Sequence, residues 1–148
     1  MGIKDYIAKL KKVDKAYINE QLLRIVQEES VYAIGLNTSQ LLSGVDANNK
    51  KLKPYKNNNY AKKKNLLNAA PGFGIPDDKL TGSFQDNFYL IFKARIGWPV
   101  SFYSRDNKTE KLVARDKDIF GLTPDNLTNF SAYVRPKVKK LFAGIFKV

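Results

Sequence analysis

Hydrophobic residues recur at every third or fourth position in the first third of the chain, and this spacing predicts a long amphipathic helix over residues 14–43. Asp14 is suited to cap the start of this helix, and Gly44 lies where the helix would end. A shorter helix over residues 3–12 is predicted within an N-terminal arm, residues 1–12. The apolar positions of the long helix are Ile18, Leu22, Ile25, Val26, Tyr32, Ala33 and Leu36.

The same helical spacing returns near the end of the chain. Thr123 and Pro124 supply an N-cap and a first helical residue for this last helix, and residues 135–148 are predicted to be a basic C-terminal tail or helix. Pro136 is expected to kink or divide the helix, because proline has no amide hydrogen and its ring clashes with the carbonyl of Ala132. The apolar positions are Leu127, Phe130, Val134, Val138, Leu141 and Ile145.

Strict alternation of apolar side chains marks the region between the two helices. In residues 87–96, Phe88, Leu90 and Phe92 fall on one face, as in a half-buried strand. Residues 100–104 resume the alternation after a Gly-Trp-Pro break, which predicts an antiparallel hairpin.

These elements together predict an α+β fold in a single domain, residues 1–148. A long N-terminal helix and a C-terminal helix would pack on a small antiparallel sheet. A short helix over residues 106–115, with Asp106 as its cap, would link the sheet to the last helix.

Residues 44–82 show no regular spacing, and Asn, Gly and Pro recur throughout them. An irregular segment of this length in a compact domain is usually either a functional loop or a disordered one. This one is rich in lysine and carries Tyr55 and Tyr60. It is therefore predicted to be an extended basic loop that contacts a partner and stays out of the core.

The chain carries 26 Lys and Arg residues against 14 Asp and Glu residues, a formal net charge of +12. The excess lies in residues 50–64 and 135–148, which contain no acidic residue. This segregation favours nucleic acid or an acidic protein surface as the partner, although two solvated faces would give the same pattern. Trp98 is a candidate interface anchor or a cap on the core. The candidate partner-contact residues are Lys50, Lys51, Lys53, Tyr55, Lys56, Tyr60, Lys62, Lys63, Lys64, Lys137, Lys139 and Lys140.

The chain has neither His nor Cys, which excludes Ser-His and Cys-His catalysis, zinc-histidine sites and disulfides. No catalytic, cofactor or metal site is predicted, and the favoured interpretation is a protein that is not an enzyme. A metal-dependent nuclease using Asp77, Asp78 or Asp106 is the remaining catalytic alternative. The sequence shows no apolar stretch long enough to span a bilayer, and its N-terminus lacks the order of a secretory signal.

Five short segments carry a resemblance to a known family, and they occur in the family's order. The first is a helix end followed by Gly-Val-Asp-Ala, and the second contains Pro-Tyr and then Tyr-Ala-Lys-Lys. The other three contain Leu-Thr-Gly-Ser-Phe, Ser-Arg-Asp-Asn-Lys and Ile-Phe-Gly-Leu-Thr. In this order they resemble small virion-morphogenesis proteins of tailed phages with Bacteroides-like hosts: neck, tail-completion and minor tail proteins. The segments are residues 36–48, 54–64, 80–84, 104–112 and 119–126.

The resemblance implies a structural α+β protein of the virion that forms a ring or connector and is assembled in the host cytoplasm. Its partners would be copies of itself, other neck, portal, capsid or tail proteins, and packaged DNA contacted through phosphates, with no membrane and no cofactor. The alternative is a DNA-binding accessory protein. Its contacts would be independent of sequence, because the chain contains no recognised nucleic-acid-binding motif.

Overall fold

The computed structural model of the protein describes residues 3–67, 74, 76–79, 81–92 and 100–146. In this part of the chain, seven helices and one two-stranded antiparallel sheet form an α+β fold, which confirms the predicted class. The elements are α1 (Ile3–Lys12), α2 (Lys15–Glu28), α3 (Ser30–Leu42), α4 (Asn58–Leu67), α5 (Ser83–Asp86), β1 (Phe88–Phe92), β2 (Val100–Ser104), α6 (Thr109–Arg115) and α7 (Pro124–Phe146).

The long N-terminal helix predicted from the sequence occurs as two helices, α2 and α3. Asp14 caps α2 as predicted, since its carboxylate accepts a hydrogen bond from the Tyr17 amide at 2.8 Å. Glu29 separates the two helices because its backbone (φ −99°, ψ 15°) departs from helical geometry. Beyond the end of α3, Gly44 adopts a positive φ of 77°, a conformation that glycine takes without strain.

The predicted hairpin is confirmed by the pairing of β1 with β2. Phe88 lies opposite Ser104, Leu90 opposite Phe102, and Phe92 opposite Val100. Trp98, in the connection between the strands, lies outside the described residues.

Two clusters of buried apolar side chains meet along β1. Phe88 belongs to the first cluster and Leu90 to the second, while Ile34 of α3 packs against both. The hairpin therefore connects the two halves of the core. The first cluster contains Leu41, Leu52, Phe84, Phe88 and Ile119, and the second contains Val26, Ala33, Leu90 and Phe130.

Buried amide side chains of α3 hold the turn that precedes α7. The Asn37 amide donates to the carbonyls of Ile119 (3.1 Å) and Gly121 (2.8 Å), and the Gln40 amide also donates to Gly121 (2.7 Å). The Gln40 side-chain oxygen accepts from the Thr123 amide at 3.0 Å. Gly121 has a φ of 123°, and a Cβ there would lie 3.2 Å from the Ala47 methyl, so both the conformation and the space require glycine.

The last helix begins as predicted, with the Thr123 hydroxyl accepting from the Asn126 amide at 3.2 Å. Pro136 does not divide it, because α7 continues to Phe146. Contacts on both sides of the proline hold the helix in place: Phe130 is buried in the second cluster, and Lys137 pairs with Glu29 at the end of α2. None of the described helices is long and apolar enough to cross a membrane.

The prediction that residues 44–82 form an extended basic loop is wrong for the described part of that segment. Leu52 belongs to the first core cluster, and Val45 and Lys51 form an isolated antiparallel bridge. Helix α4 then begins at Asn58, and the Asn57 side chain accepts hydrogen bonds from the amides of Asn59 (2.8 Å) and Tyr60 (3.3 Å). The segment is therefore packed against the body of the protein.

Candidate partner-binding site

The three consecutive lysines of helix α4 point in different directions. Lys62 and Lys63 are exposed, whereas Lys64 is only 2% exposed. Successive helical residues point about 100° apart, and residues three apart share a face. Lys64 therefore lies on the same buried side as Ala61. The prediction that Lys64 contacts a partner is wrong, because its amino group lies inside the protein.

The buried Lys64 amino group is paired with Asp77. Its Nζ lies 2.9 Å from Asp77 Oδ2, and the Asp77 side chain is fully buried. The second carboxylate oxygen accepts from the Lys79 amide at 3.0 Å and from the Tyr55 hydroxyl at 3.4 Å. A buried charge is tolerated only when its partner and further hydrogen bonds compensate for the lost water. This pair meets that requirement and fixes α4 to the segment around Asp77.

A second group of charges adjoins the first. Arg115 at the end of α6 pairs with Asp78 and, at 2.7 Å, with Asp116. Asp116 also accepts from the Lys53 amide at 3.1 Å. Burial raises the pKa of Asp78, and the neighbouring Arg115 opposes this shift. Burial, together with the carboxylate of Asp77, also raises the pKa of Tyr55.

Six of the side chains described above form the buried charge cluster, which joins four segments of the chain. It connects the residues after Leu52 with α4, the segment around Asp77, and the end of α6. Every carboxylate in the cluster contacts a cation of the same chain, so each of these buried negative charges has a partner of opposite sign. The described residues contain no group of three or more acidic side chains that could hold a metal ion. The cluster consists of Tyr55, Lys64, Asp77, Asp78, Arg115 and Asp116.

Most of the other predicted contact residues lie on the surface, but on separate elements. Lys137 is engaged by Glu29 and lies 3.7 Å from Glu28, and the Lys53 amino group donates to the Arg115 carbonyl at 2.5 Å. The exposed lysines therefore form several separate basic surfaces. Helix α4 is held by the buried charge cluster, whereas α7 packs on α2 and α3. Besides Lys53 and Lys137, the exposed candidates are Lys50, Lys51, Lys56, Tyr60, Lys62, Lys63, Lys139 and Lys140.

The segments that carry the family resemblance meet one another inside the fold. Residues 36–48 contact residues 119–126 through Asn37 and Gln40. The Ser104 hydroxyl donates to the Phe84 carbonyl at 2.8 Å, which joins two more of these segments. These motif residues therefore act as joints between elements.

Asp106 belongs to one of these joints and does not cap α6 as predicted. Its carboxylate accepts from the Ser83 hydroxyl at 2.6 Å and from the Lys108 amide at 2.8 Å. The hydrogen bond from Ser83 holds the pKa of Asp106 below its usual value. Helix α6 itself begins at Thr109, later than the sequence predicted, and the Thr109 hydroxyl donates to the Ser104 carbonyl at 3.1 Å.

The structure also contains an apolar groove that was not predicted from the sequence. It encloses about 650 Å³ between α2, α3, α7 and the hairpin, and exposed aromatic side chains border it. Tyr32 contacts Tyr133, with 4.2 Å between ring centroids, and also the groove residue Phe130. Residues 31–34 are four consecutive apolar residues of α3, and one face of a helix cannot bury all four. This run was the feature of the sequence that could have predicted exposed apolar surface here. The groove is lined by Val26, Ala33, Leu90, Val100, Phe102, Phe120, Leu122, Leu127, Phe130 and Val134, among others.

Comparison with known proteins adds no relative to this description. No protein-family model matches the chain, and neither a curated protein nor a solved structure is significantly similar to it. The joints, the exposed lysines and the apolar groove are therefore the features on which a function must rest.

Proposed function

We propose that this protein is a non-enzymatic structural component of a tailed-phage particle, which associates with copies of itself in a ring at the neck or head-to-tail junction. The observation that carries the proposal is the apolar groove with its exposed aromatic border. The chain has a net charge of +12, yet it leaves Leu127 and Tyr133 half exposed beside this groove. Exposed apolar side chains grouped beside a groove on a highly charged chain support a protein interface at this place.

The placement of the motif residues supports the same function. The segments that resemble phage virion proteins supply joints of the framework, so the resemblance favours a shared architecture over a shared reactive site. The carboxylates suggested for metal-dependent cleavage, Asp77 and Asp78, are occupied by Lys64 and Arg115. Binding without turnover accounts for both observations.

The partners follow from the two kinds of exposed surface. In the ring, the groove of one copy would be covered by its neighbour. Exposed lysines on α4 and α7, including Lys62 and Lys140, would face packaged DNA or acidic surfaces of portal, capsid or tail proteins. The protein would be found in the virion after assembly in the host cytoplasm.

Replacing Leu127 by aspartate tests this proposal. Leu127 lines the groove and is 55% exposed, so the variant should fold but should no longer form rings or enter particles. Sedimentation velocity would measure the ring, and mass spectrometry of gradient-purified particles would measure incorporation. The matched control is Leu66→Asp, because Leu66 is 86% exposed on α4 and does not line the groove. If Leu127→Asp entered particles as well as Leu66→Asp did, the groove would not be the ring interface.

A sequence-independent DNA-binding accessory protein is the second candidate, and the adjacent exposed lysines of α4 favour it. Changing Lys62 and Lys63 together to serine should preserve the fold, since both side chains are exposed. If both contact phosphates, the slope of log affinity against log salt should decrease by about two units on duplex DNA. Fluorescence anisotropy over a salt series would measure this change. An unchanged slope would show that these two lysines do not contact DNA phosphates, and an acidic protein surface would then be the partner that they fit.

A further inference from the structure

A second cavity, of about 320 Å³, lies between α4, α6 and the turn at Gly82. It is separate from the apolar groove, and its volume is near the lower end of the range for small-ligand sites, about 300 to 1,000 Å³. Its walls differ in chemistry, with aromatic rings on the α4 side and cationic side chains on the α6 side. These groups belong to Tyr55, Tyr60, Lys108, Lys111 and Arg115, and the Asp78 carboxylate, which pairs with Arg115, also lines the cavity.

The aromatic wall is fixed in place by its neighbours. The rings of Tyr55 and Tyr60 meet edge to face, with 5.1 Å between centroids. The Tyr55 hydroxyl bonds to Asp77, and the guanidinium of Arg115 lies 5.7 Å from the Tyr55 ring centroid. Tyr60 is 40% exposed, so part of its ring remains available to a ligand. A held aromatic face of this kind is a platform on which a nucleic-acid base can stack.

The cationic wall has charge available for an anion. Lys108 and Lys111 are exposed and lie three residues apart along the start of α6, so both amino groups can reach one side of the helix. Neither takes part in the ion pairs of the buried charge cluster, whereas Arg115 is shared by Asp78 and Asp116. The two lysines are therefore the groups that can hold a phosphate.

From this juxtaposition, we propose that the cavity binds a single nucleotide unit, with its base on Tyr60 and its phosphate at Lys108 and Lys111. A simple anion would leave the aromatic wall unused, and an uncharged aromatic ligand would leave the lysines unused. The unit is a free nucleotide or an unpaired nucleotide of a single strand, since a base inside a duplex cannot reach such a cavity without leaving its stack. The inference goes beyond the structural role proposed above and does not require ring assembly.

Isothermal titration calorimetry of the full chain with deoxyadenosine monophosphate, inorganic phosphate, a single-stranded oligonucleotide and a blunt duplex tests the proposal. The nucleotide should bind at least about tenfold more tightly than phosphate alone. Tyr60→Ala should weaken nucleotide binding about 5- to 150-fold, the equivalent of one lost base stack, while Tyr60→Phe should retain it. A mononucleotide that binds as tightly as the oligonucleotide would identify a free nucleotide as the ligand, and a much tighter oligonucleotide would identify a strand.

Two lysine pairs provide the matched control. Lys108→Ser with Lys111→Ser should abolish most nucleotide binding, whereas Lys11→Ser with Lys15→Ser removes the same charge from exposed positions outside the cavity and should leave nucleotide binding unchanged. Equal losses from the two pairs, equal affinities for phosphate and nucleotide, or unchanged binding in Tyr60→Ala would each overturn the proposal. Leu127→Asp should retain nucleotide binding even when ring formation is lost, so the two proposals can fail separately.

Discussion

Replacing Lys64 by methionine should lower the free energy of unfolding by about 3 to 5 kcal/mol, the cost expected when one member of a buried ion pair is removed. The Asp77 carboxylate would remain fully buried without its cation. Its hydrogen bonds from Tyr55 and from the Lys79 amide would persist, but they supply no opposite charge. Urea denaturation followed by circular dichroism would measure the loss.

The neighbouring lysine supplies the control for this experiment. Lys63→Met makes the same chemical change at an exposed position of the same helix, and it should alter the free energy of unfolding by no more than about 0.5 kcal/mol. The double variant Lys64→Met with Asp77→Leu should be more stable than Lys64→Met alone, because neither charge is then left unpaired. Equal stabilities of Lys64→Met and Lys63→Met would show that the pair does not stabilise the fold.

Leu90→Ala should destabilise the protein by about 2 to 5 kcal/mol, as buried large-to-small substitutions do. Leu90 is only 9% exposed and belongs to the second core cluster, at the point where β1 connects the two halves of the core. Leu66→Ala removes the same atoms from a residue that is 86% exposed and should be close to neutral. Thermal melting of both variants would measure the difference, and similar melting temperatures would mean that this face of β1 does not support the core.

The elements that the sequence predicts well are those whose signals are local. Alternation identifies β1 and β2, and Asp14, Gly44 and Thr123 identify helix ends through their own side chains or backbone freedom. The break at Glu29 escapes such reasoning, because the apolar spacing continues through it. Glu29 pairs with Lys137 of α7, a partner 108 residues away that no local pattern reveals.

The candidate site could be predicted only in part, because its organisation depends on distant partners. The lysine run of α4 is typical of a solvated loop, and nothing in it separates Lys64 from Lys63. Lys64 differs from Lys63 because it pairs with Asp77, thirteen residues further along the chain. Asp77 lies against the buried side of α4. Asn57 was the one local sign of a helix here, since asparagine is a favoured N-cap. The cavity between Tyr60 and Lys111 likewise depends on packing that no local pattern encodes.

The side-chain amides of α3 that bond to the turn before α7 also affect how the chain folds during its synthesis. Asn37 and Gln40 bond to carbonyls of residues 81 to 84 positions later in the chain. At a synthesis rate of about 5 to 20 residues per second, those carbonyls leave the ribosome roughly 4 to 17 seconds after the amides do. During that interval the amides must remain in water, because burying them without acceptors would be unfavourable. We therefore expect this side of α3 to stay accessible to water and to chaperones until residues 119–121 have left the ribosome.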